Sequence, residues 1–361
     1  MNFDFTDDQR AIKRTARDFL EARYKPEVIR ELAADARGFT DAQWHDIAEL
    51  GWPGVVVAEE HGGLGLGAVE LTVIEEELGY ALAPTPLLST ISAALLLGAA
   101  GSEEQRDRWL APLAGGEVIG TLALVDEHAG WAPDVSTIEP AGDGSLTGVK
   151  IAVPDAGHAD LIIVACAAGR HLLVERGAPG LTITPQDPLD PTRKLYRLTF
   201  DGTPAEALTA ADAGAVERAY ATVAVALAAE NVGVGQRTME MAVEYAKTRK
   251  QFDRAIGSYQ AVSHRCAQML LEVEGARSLT YGAAWALDHD PATAIRAASM
   301  AKAYASDAGW RVSASALQVH GGIGFTWEHD LHFFLKRAAA NAHSFGDARW
   351  HRERVIARAA S

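Results

Sequence analysis

The distribution of proline constrains this chain more than any other feature. Eight of its fourteen prolines fall between Asp126 and Pro204, and none lies between Pro204 and Pro291. Proline has no amide proton and clashes with the preceding helical turn, so long helices are excluded from the first stretch and permitted in the second. Within the proline-rich stretch the apolar runs are short: Ile119 to Val125, Leu161 to Ala165 and Leu195 to Phe200. Turn residues such as Gly142-Asp143-Gly144-Ser145 separate them, so they read as strands of a small β domain.

On either side the periodicity is helical. Val216, Tyr220, Val223, Leu227, Val234, Met241 and Tyr245 advance by threes, fours and sevens, which marks one face of a long helix. Further helices fit 260–288, 292–318 and 329–358. Near the start, Thr6 followed three positions later by Gln9 has the form of a capping box. A glycine-rich turn from His61 to Gly67 precedes another helical pattern through Leu78. The expected fold class is mainly α with a small β domain. The expected division is an N-terminal helical domain over 1–115, a middle β domain over 116–208 and a C-terminal helical bundle over 209–361.

Composition narrows the function classes. Lys and Arg number 33 against 48 Asp and Glu, a net charge of −15. A field of that sign argues against nucleic acid or an anionic membrane as the main partner. Cys166 and Cys266 lack any metal-ligand spacing, so no disulfide framework or metal site is expected. The acidic start, Met1 to Asp8, is unlike a secretion signal, and the longest apolar run, Ile91 to Gly101, is about half a membrane span. These features fit a soluble, cytoplasmic protein.

Two segments carry candidate chemistry. Arg249-Lys250-Gln251-Phe252-Asp253-Arg254-Ala255-Ile256-Gly257-Ser258-Tyr259-Gln260 combines cations, an aromatic ring and a glycine turn where two helices meet. Cations at a helix end also suit the helix dipole, so a plain charged terminus is the competing reading. The second segment runs from Gln318 through His320-Gly321-Gly322-Ile323-Gly324-Phe325 to Asp330. Its glycines permit close approach of a phosphate, or merely a tight interhelical turn. No strand precedes it, which excludes a Rossmann fingerprint.

Together these motifs, with the early Glu59-Glu60-His61-Gly62-Gly63 turn, resemble the acyl-CoA dehydrogenase family over essentially the whole chain. The resemblance implies an FAD enzyme that oxidises an acyl-CoA thioester to its 2,3-enoyl form and passes electrons to an electron-transferring flavoprotein. A carboxylate removes the α proton, the flavin accepts the β hydride, and hydrogen bonds polarise the carbonyl. It further implies that Arg249, Gln251, Phe252, Tyr259, Gln318, Gly321 and Gly322 reach the pyrophosphate and adenosine of a neighbouring subunit's FAD.

Departures from the family pattern are as informative. Asp126 stands about where a flavin-contacting threonine belongs. Ala152 and Pro154 replace a tryptophan and a threonine that pack the flavin ring. Phe345 occupies the place of the usual catalytic glutamate, and Val223 the alternative place on the long helix. Glu230, on that helix's apolar stripe, is the remaining candidate base; its other reading is a structural glutamate satisfied by a neighbouring helix or an interface arginine. His128, His320 and His343 read as satisfied histidines.

This asymmetry resembles the shorter partner subunit of the α2β2 acyl-CoA dehydrogenases of actinobacterial sterol degradation. The segment Gly321 to His332 is similar to chains of that group. By that resemblance the partner is a homologous catalytic subunit and the substrate a bulky CoA thioester such as a steroid side chain. Two alternatives stay open: a self-sufficient homotetramer using Glu230, and a structural paralogue that binds no flavin.

Overall fold

In the computed structural model, residues 4–127, 130, 135–210 and 212–359 are described. Helices α1 (Asp7–Arg23), α2 (Pro26–Ala34), α3 (Asp41–Glu49), α4 (Ala68–Ala81), α5 (Leu87–Ala100) and α6 (Glu103–Ala114) come first. Strands β1 (Gly120–Ala123), β2 (Val125–Asp126), β3 (Leu146–Pro154), β4 (Leu161–Ala165), β5 (His171–Glu175), β6 (Leu181–Gln186), β7 (Leu195–Thr203) and β8 (Glu206–Ala207) follow. The long helix α7 (Ala213–Thr248) leads through β9 (Lys250–Gln251) and β10 (Arg254–Ala255) to α8 (Gln260–His289), α9 (Pro291–His320), α10 (Leu331–His343) and α11 (Ala348–Ala357). The chain is mainly α with a small β domain in its middle, as the proline distribution requires.

Local chemistry sets the helix starts. The Thr6 hydroxyl accepts the Gln9 amide at 3.1 Å while the Gln9 side chain accepts the Thr6 amide at 3.0 Å. The same reciprocal box opens α3 at Thr40 and Gln43 and α6 at Ser102 and Gln105. Each box satisfies two amides that a helix start otherwise leaves orphaned.

The described residues fall into two compact units, each drawn from separated segments. One takes 31–71 and 84–223. Its strands form two sheets, ordered β1-β4-β5-β8 and β2-β3-β7-β6. The β1–β4 pair is parallel, Gly120 opposite Leu161, and the other pairs are antiparallel. The apolar run from Ile91 lies in α5, which is buried along most of its length and packs on β1 and β4. Among the described residues no helix is long and apolar enough to cross a membrane.

The other unit takes the residues up to Arg30, 72–83 and those from Ala224 onward. Its core is rich in small side chains: Ala228, Ala242, Ala276, Ala305, Ala308 and Ala316 pack with Val273, Val312 and Leu331. Helices α4 and α7 cross at glycines, because a Cβ on Gly233 would overlap the Glu76 carbonyl and one on Gly79 the Glu230 carbonyl.

Three expectations need correction. The helix expected over 329–358 is two, α10 and α11, broken where Phe345 and Gly346 take φ of +57° and +96°. The glycine turn expected after α7 contains a small hairpin, β9–β10, whose two tip residues Phe252 and Asp253 have φ of +53° and +65°. Helix α7 is also not a one-faced amphipath: every residue from Ala221 to Gly235 is buried. Alanines and glycines hide that burial from a periodicity reading, since they mark neither an apolar nor a polar face.

Candidate functional site

The two motif segments lie in the same unit, and one aromatic contact joins them. Tyr245, one turn before Arg249 on α7, stacks on His320 at the end of α9, with ring centroids 4.6 Å apart and planes 21° apart. His320 immediately precedes Gly321, so the end that carries Arg249 and the end that carries the glycine turn share a wall.

On that wall the candidate residues face outward. Arg249 is exposed, and its guanidinium enters no hydrogen bond or ion pair among the described residues. Phe252, at the hairpin tip, is 88% exposed although its positive φ is one that a phenylalanine adopts only at a cost. Gln251 donates to the Lys250 carbonyl at 2.8 Å, and the Tyr259 hydroxyl donates to the Gln251 carbonyl at 3.2 Å. Arg254 lies 3.9 Å over the Tyr259 ring. Gln318 is exposed. Gly321 has φ +63°, and nothing lies within 4 Å of where a Cβ would sit on Gly321 or Gly322. A planar five-donor cation beside two bare glycines can hold a diphosphate by paired hydrogen bonds and close backbone approach. That donor set fits the phosphate end of a dinucleotide.

The middle β domain differs. Asp126 is buried and ion-paired with Lys150, which is itself fully buried. The Lys150 ammonium also donates to the Leu124 carbonyl at 3.0 Å and to the Ser136 hydroxyl at 3.0 Å, and Thr137 donates to Asp126 at 2.9 Å. Burial opposes ionisation of Asp126, but Lys150 and Thr137 outweigh it and hold its carboxyl below the usual range. The charge foreseen at this position is therefore internally neutralised. Ala152 sits at a bulge of β3 with φ +52°, its amide donating to the Gln186 side chain at 2.7 Å. His128 and most of the stretch 128–134 lie outside the described residues.

Glu230 is buried, and its two oxygens are both engaged. Arg337 of α10 pairs with one, and Asn341 donates to the other at 2.9 Å. Both contacts are of the kind the structural alternative describes, with the arginine coming from the same chain. Val223 is fully buried, and Phe345 is half-buried in the α10–α11 break. His343 is exposed, whereas His320 is buried.

Sequence reasoning missed Lys302. It is fully buried on α9, and its ammonium donates to the carbonyls of Asn341 at 2.9 Å and Gly346 at 3.1 Å and to the Ser306 hydroxyl at 3.1 Å. Burial pushes it down to about 7, against the pull of Asp347 and Asp307. His351 holds the same break through the Phe345 carbonyl at 3.0 Å. The available signal was a lysine flanked by Ala298, Ala301 and Ala305, a spacing that places it on a buried face. Among the described residues no group of three or more metal-ligating side chains converges.

Comparison with known proteins identifies this layout. Residues 6–117 match the acyl-CoA dehydrogenase N-terminal domain, and residues 215–360 match the acyl-CoA dehydrogenase C-terminal domain. The chain belongs to the acyl-CoA dehydrogenase family. The acyl-CoA dehydrogenase IpdE2 of Mycobacterium tuberculosis is 33% identical over 337 residues, covering 93% of this chain and 92% of that protein. The Tcur3481-Tcur3483 steroid ACAD, as its G363A variant, superposes with TM-score 0.89 at 30% identity, over 98% of each chain. The ChsE4-ChsE5 complex from Mycobacterium tuberculosis does so with TM-score 0.91 at 28% identity, over 100% of this chain and 99% of that one. Acyl-CoA dehydrogenases are FAD-dependent oxidoreductases. This chain combines an outward-facing arginine and glycine turn with Phe345 and Val223 at the two positions where a base was expected.

Proposed function

We propose that this chain is the non-base-bearing subunit of a heteromeric, FAD-dependent acyl-CoA dehydrogenase and completes the FAD site of a homologous catalytic partner. The observation that carries the reading is the outward set of Arg249, Phe252, Gly321 and Gly322, which has a ligand's chemistry: the Arg249 guanidinium has no partner among the described residues, and Phe252 touches only the edge of Tyr259 and is otherwise open to solvent. A strained, exposed phenylalanine gains by burial of its ring only when another surface covers it. Arg249 and Gln251 bind the diphosphate, Phe252 and Tyr259 pack the adenosine end, and Gln318 with the glycine turn closes over it. FAD supplies the hydride acceptor when bound. The α proton is taken by a residue of the partner, because Glu230 is committed to Arg337 and Asn341 and phenylalanine occupies the turn at 345.

The substrate class is an acyl-CoA thioester. The likeness to the Tcur3481-Tcur3483 steroid ACAD supports a steroid side chain as the acyl group, and the likeness to the ChsE4-ChsE5 complex supports a two-subunit assembly. An electron-transferring flavoprotein takes the electrons, and the cytoplasm is the compartment that suits such a partner.

The test is flavin stoichiometry. Purified alone, the chain should be colourless; co-expressed with the neighbouring homologous subunit, it should yield about one FAD per two chains, as a closed assembly of unlike pairs requires. A yellow homo-oligomer with a full complement of flavin and turnover would overturn the reading in favour of a self-sufficient enzyme. Absence of colour in every combination would favour a structural paralogue.

A further inference from the structure

We propose that His320, stacked on Tyr245, and His329, edge-on to His320, are positioning residues that hold the Gly321–Gly322 turn at the end of α9, and that protonation of His329 releases it. The ligand named for that turn rests on the reading above; the holding role does not.

The segment from Gly321 to Asp330 is exposed on its outer side, with Phe325 at 72% and Trp327 at 68% exposure. Its attachments are at its ends and from beneath. His320 donates from Nδ1 to the Ala316 carbonyl at 2.8 Å, which fixes the ring on α9. One face lies on Tyr245, and the His329 ring meets it edge-on at 4.6 Å. At the far end the Leu331 amide donates to His329 Nδ1 at 3.2 Å. Arg30 of α2 adds a bond to the Trp327 carbonyl at 2.6 Å and a pair with Asp330 at 2.6 Å. The imidazole of His329 is thus the bridge between the glycine turn, through His320, and the start of α10.

That bridge works in one protonation state. Neutral His329 offers Nδ1 as an acceptor; the cation carries a proton there and opposes the Leu331 amide. A cation at 329 also faces a second imidazole that is itself buried. The charged and titratable groups around the pair are Tyr245 from α7, Asp330 and His332 at the head of α10, and Arg30 from α2. Burial lowers the proton affinity of both histidines; Asp330 opposes this at His329, and Arg30 adds to it. The neutral form is therefore the resting form near neutrality, and release belongs to acid conditions below the ordinary histidine range. His320 is the less sensitive member, because a cation there still gains from the Tyr245 ring face.

Amide hydrogen exchange on the full chain tests this without any ligand. After correction for the chemical rate, the amides of 323–331 should lose protection roughly tenfold or more between about pH 7.5 and about pH 5, while those of α7 keep theirs. His329→Asn supplies a side-chain oxygen that accepts from the amide two residues on and does not titrate. It should retain protection at both pH values, and His329→Ala should lack it at both with an unchanged unfolding midpoint. Wild-type protection that is indifferent to pH, or an acid loss that persists in His329→Asn, overturns the proposal. Flavin content of the co-purified complex is read separately. If exchange behaves as stated but wild type and His329→Asn hold FAD equally at both pH values, the positioning role stands and the assignment of FAD to this turn fails.

Discussion

A glutamate sealed beside an arginine responds to substitution differently from one that shuttles protons. Glu230→Gln removes the counter-charge of Arg337, which is also buried. Stranding one partner of a buried pair costs roughly 3–5 kcal/mol, so the urea midpoint should fall clearly, while turnover of the folded complex changes less than about tenfold. A loss of about 10²-fold or more in turnover at unchanged stability is what a general base would give, and it would sink the partner-supplied base. Arg249→Ala is the converse case. The side chain is exposed and makes no bond within the described residues, so stability should hold. Loss of charge-assisted bonds of about 1.5–3 kcal/mol should weaken FAD binding in the complex by about 10- to 150-fold in a fluorescence titration.

Between elements, contact geometry decides the sign of an identical substitution. At Gly233 a methyl group would enter the Glu76 carbonyl, and the backbone of α4 has nowhere cheap to move. Gly233→Ala should destabilise by about 1–3 kcal/mol, the usual cost of overpacking. At Gly98 in α5 nothing lies within 4 Å of the new methyl. There the helix propensity of alanine prevails, and Gly98→Ala should stabilise by about 0.5–1 kcal/mol. Paired denaturation curves read both signs. Helix periodicity alone assigns the two glycines the same cost.

For the molecule as a whole, the buried histidines set the response to acid. Burial pushes His171 down to about 4 and, with Lys302 adding to it, His351 down to about 3. Each folded-state value lies below the unfolded one near 6.5, so between them the unfolded chain binds the extra proton. Their contribution to stability is therefore complete above about pH 6.5 and is lost as pH falls, at about 1.4 kcal/mol per pH unit for each histidine. His171 is in the unit that contains the sheets and His351 in the unit of α8 to α11, so both units should show it. Denaturation midpoints measured from about pH 7.5 to about pH 4.5 should decline throughout the acid range. Replacing His351 with Asn should flatten the slope for its unit.

Much of this was legible in the residues. Proline spacing placed the strands, since a missing amide proton acts wherever it occurs in the chain. The boxes at Thr6 and Gln9 were legible because their partners are three residues apart. The motif around Arg249 and the Gly321–Gly322 turn were equally visible, because they are contiguous. What the sequence left open depends on partners distant along the chain. Nothing in the sequence names the partners of Glu230; α10 brings Arg337 and Asn341, more than a hundred residues away, to its oxygens. Asp126 read as a charge facing a cofactor until Lys150 folded onto it. Tyr245, His320 and His329 were unremarkable until the ends of α7 and α9 met. A carboxylate's chemistry is set by its neighbours' charge and by the water it has lost, and only the tertiary structure supplies either.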